Sequence, residues 1–290
     1  MTEIIQKSFK EERALFGSDS LKLRSCTFDI GESPLKESKN IELSGCMLRW
    51  KYPLWYCENV AVKDSVFTNG SRAGIWYTNN ISIENTVIDS PKNFRRCKGV
   101  ELTKVNIPDA KETFWSCDDV KLKDVTVNGD YFCMNSKNIE ASGLRLTGNY
   151  SFDGATNLVL KDSVLVTKDA FWNSKNVEVY SSWISGEYLG WNSENLYFEN
   201  CTIESLQGLC YIKNLVMKNC RLIDTTLAFE YSTVDAEIKG EVGSVFNPSS
   251  GRIKADKIVR LIIEDGKVNA LKTEILCSDI ESRLDSPVWD

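Results

Sequence analysis

Asn157-Leu158-Val159-Leu160-Lys161-Asp162-Ser163-Val164-Leu165 and Asn195-Leu196-Tyr197-Phe198-Glu199-Asn200-Cys201-Thr202-Ile203 are two copies of one phrase. A turn residue is followed by apolar, any, apolar, two polar residues, a small residue, any, and apolar. Asn40-Ile41-Glu42-Leu43-Ser44-Gly45-Cys46-Met47-Leu48 repeats it. The turn residue falls at Ser20, Asn40, Asn59, Asn80, Gly99, Asp119, Asn138, Asn157, Asn176, Asn195 and Asn214, spaced by 20, 19, 21, 19, 20 and then 19 throughout. A register held through eleven units is the signature of a repeat architecture.

Within each unit apolar and polar residues alternate over short stretches, the period of strands. A further stretch ends the unit, as in Pro53-Leu54-Trp55-Tyr56, Gly74-Ile75-Trp76-Tyr77, Thr113-Phe114-Trp115-Ser116 and Ala170-Phe171-Trp172-Asn173. Nineteen residues therefore hold three short strands separated by bends. That is one turn of an all-β, single-stranded, right-handed parallel β-helix, a solenoid in which each strand pairs with its counterpart one turn away. With strands about 4.8 Å apart, ten repeats make a rod of roughly 48 Å. A leucine-rich-repeat horseshoe shares the period but needs a helical stretch that these units lack.

Stacked turns convert sequence into columns. The turn column is Asn in eight of eleven units; Asn tolerates a left-handed bend, and its amide can bond the Asn above and below. The doublet Asp118-Asp119 falls on the turn positions and reads as part of this ladder. Six residues beyond the turn, and two before it, lie small-residue columns in which seven of the ten cysteines alternate with Ser, Thr or Ala. These thiols read as small fillers at corners, and without any C-x-x-C spacing neither a metal site nor a redox motif is expected.

The composition narrows the chemistry. Lys and Arg number 35 and Asp and Glu 41, a net charge of −6, which argues against a nucleic-acid partner. Histidine is absent, so Ser-His-Asp and Cys-His mechanisms and His-ligated metals are excluded, and no cofactor is implied. No run of apolar residues is long enough for a membrane-spanning helix. Met1-Thr2-Glu3-Ile4-Ile5-Gln6-Lys7 does not read as a signal peptide, so the expected location is the cytoplasm.

One outward column stands apart. Four residues before each turn residue stand Trp55, Trp76, Arg95, Trp115, Met134, Asp153, Trp172 and Trp191, holding five of the eight tryptophans. The residue preceding each of the first seven is apolar and core-facing (Leu54, Ile75, Phe94, Phe114, Cys133, Phe152 and Phe171), so alternation turns the column outward. A contiguous aromatic stripe needs an explanation. Three compete: a carbohydrate or small-glycoside binding face with Arg95 and Asp153 as polar contacts; a protein or homo-oligomer interface; or cover by a terminal segment. For catalysis the stripe offers Asp130, Asp153, Asp169 and Glu187. Asp169 and Glu187 flank Trp172 and Trp191 in neighbouring turns, close enough for a retaining-glycosidase pair, although acids at strand entries are ordinarily solvated turn residues. A non-enzymatic binder is the favoured reading, and a histidine-free glycoside hydrolase the enzymatic one.

Glu11-Glu12-Arg13-Ala14-Leu15-Phe16-Gly17, Tyr52-Pro53-Leu54-Trp55, Lys168-Asp169-Ala170-Phe171-Trp172, Gly186-Glu187-Tyr188-Leu189-Gly190-Trp191 and Leu227-Ala228-Phe229-Glu230-Tyr231-Ser232 resemble a bacterial family of single-domain, pectin-lyase-like β-helix proteins with no established activity. The resemblance runs to about residue 265. It implies the fold and a bacterial cytoplasmic origin. Related sequences tend to carry His after Trp where Tyr56 and Asn173 stand here. The wider superfamily includes polygalacturonases, whose Gly-His-Gly segment has no counterpart here, and lyases with calcium-binding acid clusters. The column of Arg95 offers only Asp153, three turns away.

The expected organisation is a cap over residues 1–14, regular turns over 15–232, irregular turns over 233–268 and a tail or cap over 269–290.

Overall fold

The structure, a computed structural model, describes residues 1–287. It is a parallel β-solenoid of about 15 turns with about 19 residues per turn and almost no helix. The chain divides into two compact units, Met1–Gly148 and Asn149–Asp290. Among the described residues no helix is long and apolar enough to cross a membrane.

In the first unit a sheet of six-residue strands runs through Asp19–Arg24, Lys39–Ser44, Glu58–Lys63, Asn79–Glu84, Lys98–Thr103, Asp118–Lys123 and Lys137–Ser142. Their register aligns the apolar column Leu21, Ile41, Val60, Ile81, Val100, Val120, Ile139, all buried. A second sheet of two- or three-residue strands follows each corner, as at Val66–Phe67 and Val87–Ile88. The third face is minimal: Leu54–Trp55 pairs with Ile75–Trp76, and single bridges join Trp76 to Arg95 and Arg95 to Trp115.

The second unit repeats this with Leu158, Val177, Leu196, Leu215 and Val234 in register. From Lys213 onward the corner is absorbed into continuous strands, Lys213–Thr226, Thr233–Phe246 and Ser250–Ile262. Register shifts at Met217/Cys220 and Ile238/Glu241 mark where residues have been lost or gained. Paired side chains there lie 17 residues apart, as Arg252 and Asp235 do, which is why the 19-residue phrase fades.

The ends consist of solenoid strands. Thr2–Ile5 and Ser8–Phe9 pair in parallel with Asp19–Arg24 and Thr27–Phe28. Thr273–Leu276 and Asp279–Leu284 pair in parallel with Ser250–Ile262. The final three residues of the expected tail, 288–290, lie outside the described residues.

The corners explain the columns. Every turn residue from Ser20 to Asn214 has φ between 53° and 67°, the left-handed region that Asn and Gly enter at least cost. Asn59 Nδ2 donates to Asn40 Oδ1 at 3.1 Å and Asn195 Nδ2 to Asn176 Oδ1 at 2.9 Å, forming amide ladders. Asn138 Nδ2 donates to Asp118 Oδ1 at 2.8 Å, which places that acid in a ladder. The small column two residues before the turn has a further requirement. Thr78 Oγ1 donates to Leu54 O at 2.6 Å, Cys117 Sγ to Phe94 O at 2.8 Å and Ser174 Oγ to Phe152 O at 2.6 Å. Each satisfies a buried carbonyl, so hydroxyl and thiol interchange there. Burial pushes the Cys57 thiol up to about 12, and the cysteines are free.

Candidate functional site

The residue before each outward position is buried: Leu54, Ile75, Phe94, Phe114, Cys133, Phe152 and Phe171 are all 0% exposed. Phe94 and Phe114 stack inside at 4.4 Å and 5°. With these rings anchored in the core, the next side chain leaves the solenoid, and Trp55, Trp76, Arg95, Trp115, Asp153, Trp172 and Trp191 are all half-buried on the outside.

In the first unit the column is a self-stack. The Trp55 and Trp76 rings lie 4.9 Å apart at 7°, and Tyr52 covers Trp55 at 4.5 Å. The Arg95 guanidinium sits 4.7 Å from Trp76 and 5.1 Å from Trp115, sandwiched between two indoles. Indole nitrogens are used internally: Trp55 Nε1 donates to Ala73 O at 2.5 Å and Trp76 Nε1 to Lys92 O at 2.7 Å. Arg95 Nη2 donates to Glu112 at 3.1 Å, which also pairs with Lys92 at 3.3 Å. Repetition at one residue per turn brings flat groups to ring-stacking distance, so the indoles here turn faces to one another and edges to solvent. Outside them Tyr56 and Tyr77 stack at 4.8 Å, with Lys36 over Tyr56 at 5.5 Å.

In the second unit the column runs Asp153, Trp172 and Trp191. Trp172 has Tyr150 at 6.3 Å. Trp191 stacks on Tyr211 at 4.8 Å and meets Tyr188 edge-on at 5.6 Å. Among the described residues no ring contact joins Trp172 to Trp191. Beside them runs a polar chain: Asn192 Nδ2 donates to Asn173 Oδ1 at 2.7 Å, and Asn173 Nδ2 to Asp153 Oδ1 at 3.1 Å.

Asp169 and Glu187 meet next to this chain. The Asp169 N–H donates to the Glu187 carbonyl at 2.9 Å, so the two lie on adjacent turns. Glu187 stands directly over Lys168, in an ion pair of 2.9 Å, and its neighbour Tyr188 shares the column of Asp169. Partial burial, then the Glu187 charge, pushes the Asp169 carboxyl above its ordinary value; Lys168 opposes this and Asp153 adds to it. The turn can close here because residue 186 is glycine. A Cβ at Gly186 would stand 1.9 Å from Thr167 O. Glu230, bonded to the Tyr211 hydroxyl at 3.3 Å, is likewise raised by burial. Asp130 belongs to the first unit, where its carbonyl accepts from the Glu112 N–H at 2.9 Å.

Tyr150, Asn173, Tyr188, Asn192, Tyr211 and Glu230 are not among the residues expected from sequence. A signal existed: Tyr56, Tyr77, Asn173, Asn192, Tyr211 and Tyr231 recur one residue beyond the Trp column and all have positive φ. Among the described residues no group of three or more acidic or thiol side chains is arranged to hold a metal.

The match to a described protein family extends over residues 2–276. The chain belongs to the DUF3737 family, proteins of unknown function. No curated protein matches this DUF3737 member. Among solved structures it is similar to a tailspike protein double mutant of E. coli bacteriophage HK620 in complex with pentasaccharide. That match has 7% identity and a TM-score of 0.37, covering 92% of this chain and 67% of that one. It is also similar to the Azotobacter vinelandii mannuronan C-5 epimerase AlgE4 A-module, with 10% identity and a TM-score of 0.29, covering 97% of this chain and 86% of that one. At such identities the likeness concerns the β-solenoid path alone.

Proposed function

We propose that this DUF3737 protein binds carbohydrate on the outer face of its second unit. The observation that carries the reading is the pairing of half-buried Trp172 and Trp191 with the side-chain sequence Asp153, Asn173, Asn192 and with Asp169 and Glu187. Indole offers a flat apolar surface with a negative face for the C–H side of a sugar ring. Amides and carboxylates at the same level supply donors and acceptors for its hydroxyls. In the first unit Trp55, Trp76, Arg95 and Trp115 offer ring edges, so any contact there runs over edges and the outer Tyr56 and Tyr77 rings.

A second reading rests on Asp169. A carboxyl pushed above its ordinary value by partial burial, beside a carboxylate paired with Lys168, suits an acid and nucleophile pair in glycoside hydrolysis, with Asp169 as acid and Glu187 as nucleophile.

Titration of tryptophan fluorescence with an oligosaccharide panel tests the binding reading. A saturable response lost in Trp172→Ala and Trp191→Ala is expected. No response to any glycan, together with a dimer that these variants dissociate, overturns it in favour of an assembly interface. Glycan cleavage that persists in the Asp169→Asn, Glu187→Gln double variant removes the enzymatic reading.

A further inference from the structure

The long-strand sheet of the first unit carries a groove of about 630 Å³ that lies away from the tryptophan column. Its floor is Ser44, Ala61 and Ser82, small side chains at positions where neighbouring turns place Lys22, Glu42, Glu84 and Glu101. The lining runs from Lys22 on one turn to Glu101 and Thr103 four turns further on, which at the spacing of paired strands is about 19 Å. At the equivalent columns of the second unit stand Tyr180 and Tyr197, rings 5.7 Å apart and bonded to Glu178 and Glu199. The floor of the first unit is thus open where the second carries bulk.

The charges that line the groove are matched. Lys22 pairs with Glu42 at 3.1 Å, Lys63 with Glu84 at 3.4 Å and Glu101 with Lys121 at 3.2 Å, while Arg24 pairs with Glu3 at 2.9 Å. A polymer of one charge sign would meet as much repulsion as attraction and would have to break these pairs. A chain of hydroxyl groups would not: each carboxylate accepts from one hydroxyl and each ammonium donates to another, with the ion pair intact. Ser44, Ser82 and Thr103 add hydroxyls of their own. Each of the five turns contributes at least one charged or hydroxyl side chain, from Lys22 and Arg24 through Glu42, Lys63 and Glu84 to Glu101, a spacing close to the length of one sugar ring along a direction perpendicular to the strands.

We infer that this groove is a second binding site, for a neutral linear oligosaccharide lying along the solenoid axis with about one sugar per turn. It is independent of the tryptophan face. Because no tryptophan lines it, its occupation is silent in tryptophan fluorescence and visible by calorimetry.

The experiment is isothermal titration of the full chain with maltohexaose and cellohexaose. Binding is expected with at least one of them, strengthening with oligomer length up to about five sugars. It should be unchanged between about 50 and 500 mM salt, as fits an uncharged ligand. Ser82→Trp, which fills the floor from an exposed position, should lower affinity at least about tenfold. Glu84→Gln, which keeps the shape but removes a charged acceptor, should do so by about fivefold. Repeating the titration in the Trp172→Ala, Trp191→Ala background removes any heat from the tryptophan face, so failure here and failure of that face are separable. No heat with either hexaose, binding unaffected by both groove variants, or tighter binding of a polyuronate or an extended peptide would each overturn the inference.

Discussion

Asn176 provides the sharpest test of how this solenoid is held. Its Nδ2 donates to Asn157 Oδ1 and its Oδ1 accepts from Asn195 Nδ2, both at 2.9 Å, and its backbone sits at φ 55°. Asn176→Ala removes both amide bonds, which at an exposed site are worth about 0.5 kcal/mol each. It also leaves a Cβ in the left-handed region without a side chain to support it, at a cost of about 1 kcal/mol. The expected loss is about 2 kcal/mol. Asn176→Gly removes the same bonds but enters that backbone conformation freely, so its expected loss is about 1 kcal/mol. Urea denaturation followed by far-ultraviolet circular dichroism and tryptophan fluorescence measures both. The slope against denaturant must be unchanged for the values to be compared, because a solenoid can unfold in parts. Glycine as damaging as alanine would mean the left-handed corner carries no cost, and two variants indistinguishable from the parent would mean the ladder contributes nothing. Either result refutes the reasoning.

Other expectations follow from the core and the candidate site. Phe171→Ala, which deletes a fully buried ring 5.6 Å from Phe152, should cost about 3–5 kcal/mol in the same denaturation assay. Nine of the ten cysteines are buried, with Cys210 pushed up to about 12 by burial, and Cys277 is half-buried. A thiol reagent should therefore label one site rapidly in the folded protein, whereas rapid labelling of several would contradict the packing. The Asp169 carboxyl is raised on folding, so its contribution is favourable below its unfolded value and is lost as pH rises through its folded value. Asp169→Asn should melt higher than the parent near pH 7 and converge with it at about pH 3; an equal or lower melting temperature at neutral pH would reverse the sign. Gly186→Ala should lower stability and disturb the Asp169 and Glu187 pairing, because the added Cβ meets a backbone carbonyl and not a yielding side chain; unchanged melting would rule out the close approach.

The β-solenoid was legible in one dimension because each turn repeats the same physical demands. A left-handed corner calls for Asn or Gly, an inward position for Ile, Leu, Val or Phe, and a buried carbonyl for Ser, Thr or Cys. Register alone therefore assigns Val177 to the core, Asn176 to a ladder and Trp172 to the outside. The ends were less legible. Thr2–Ile5 and Thr273–Leu276 form strands whose flanking corners use other residues, such as Gln6 at φ 53°, so the phrase is broken while the pairing continues.

Outwardness is a property of alternation, and residue order is enough to establish it; the direction in which an outward ring faces depends on its neighbours one turn away. Trp55 and Trp76 close on each other, their rings 4.9 Å apart at 7°. Trp172 and Trp191 are set instead among Tyr150, Asn173, Tyr188 and Tyr211, residues from other columns whose proximity arises only when turns stack. The raised carboxyl of Asp169 has the same origin, since it depends on burial and on a Glu187 charge brought close by the next turn. Periodicity encodes which side chains leave the core. Packing between turns decides which of their surfaces remain available for a ligand.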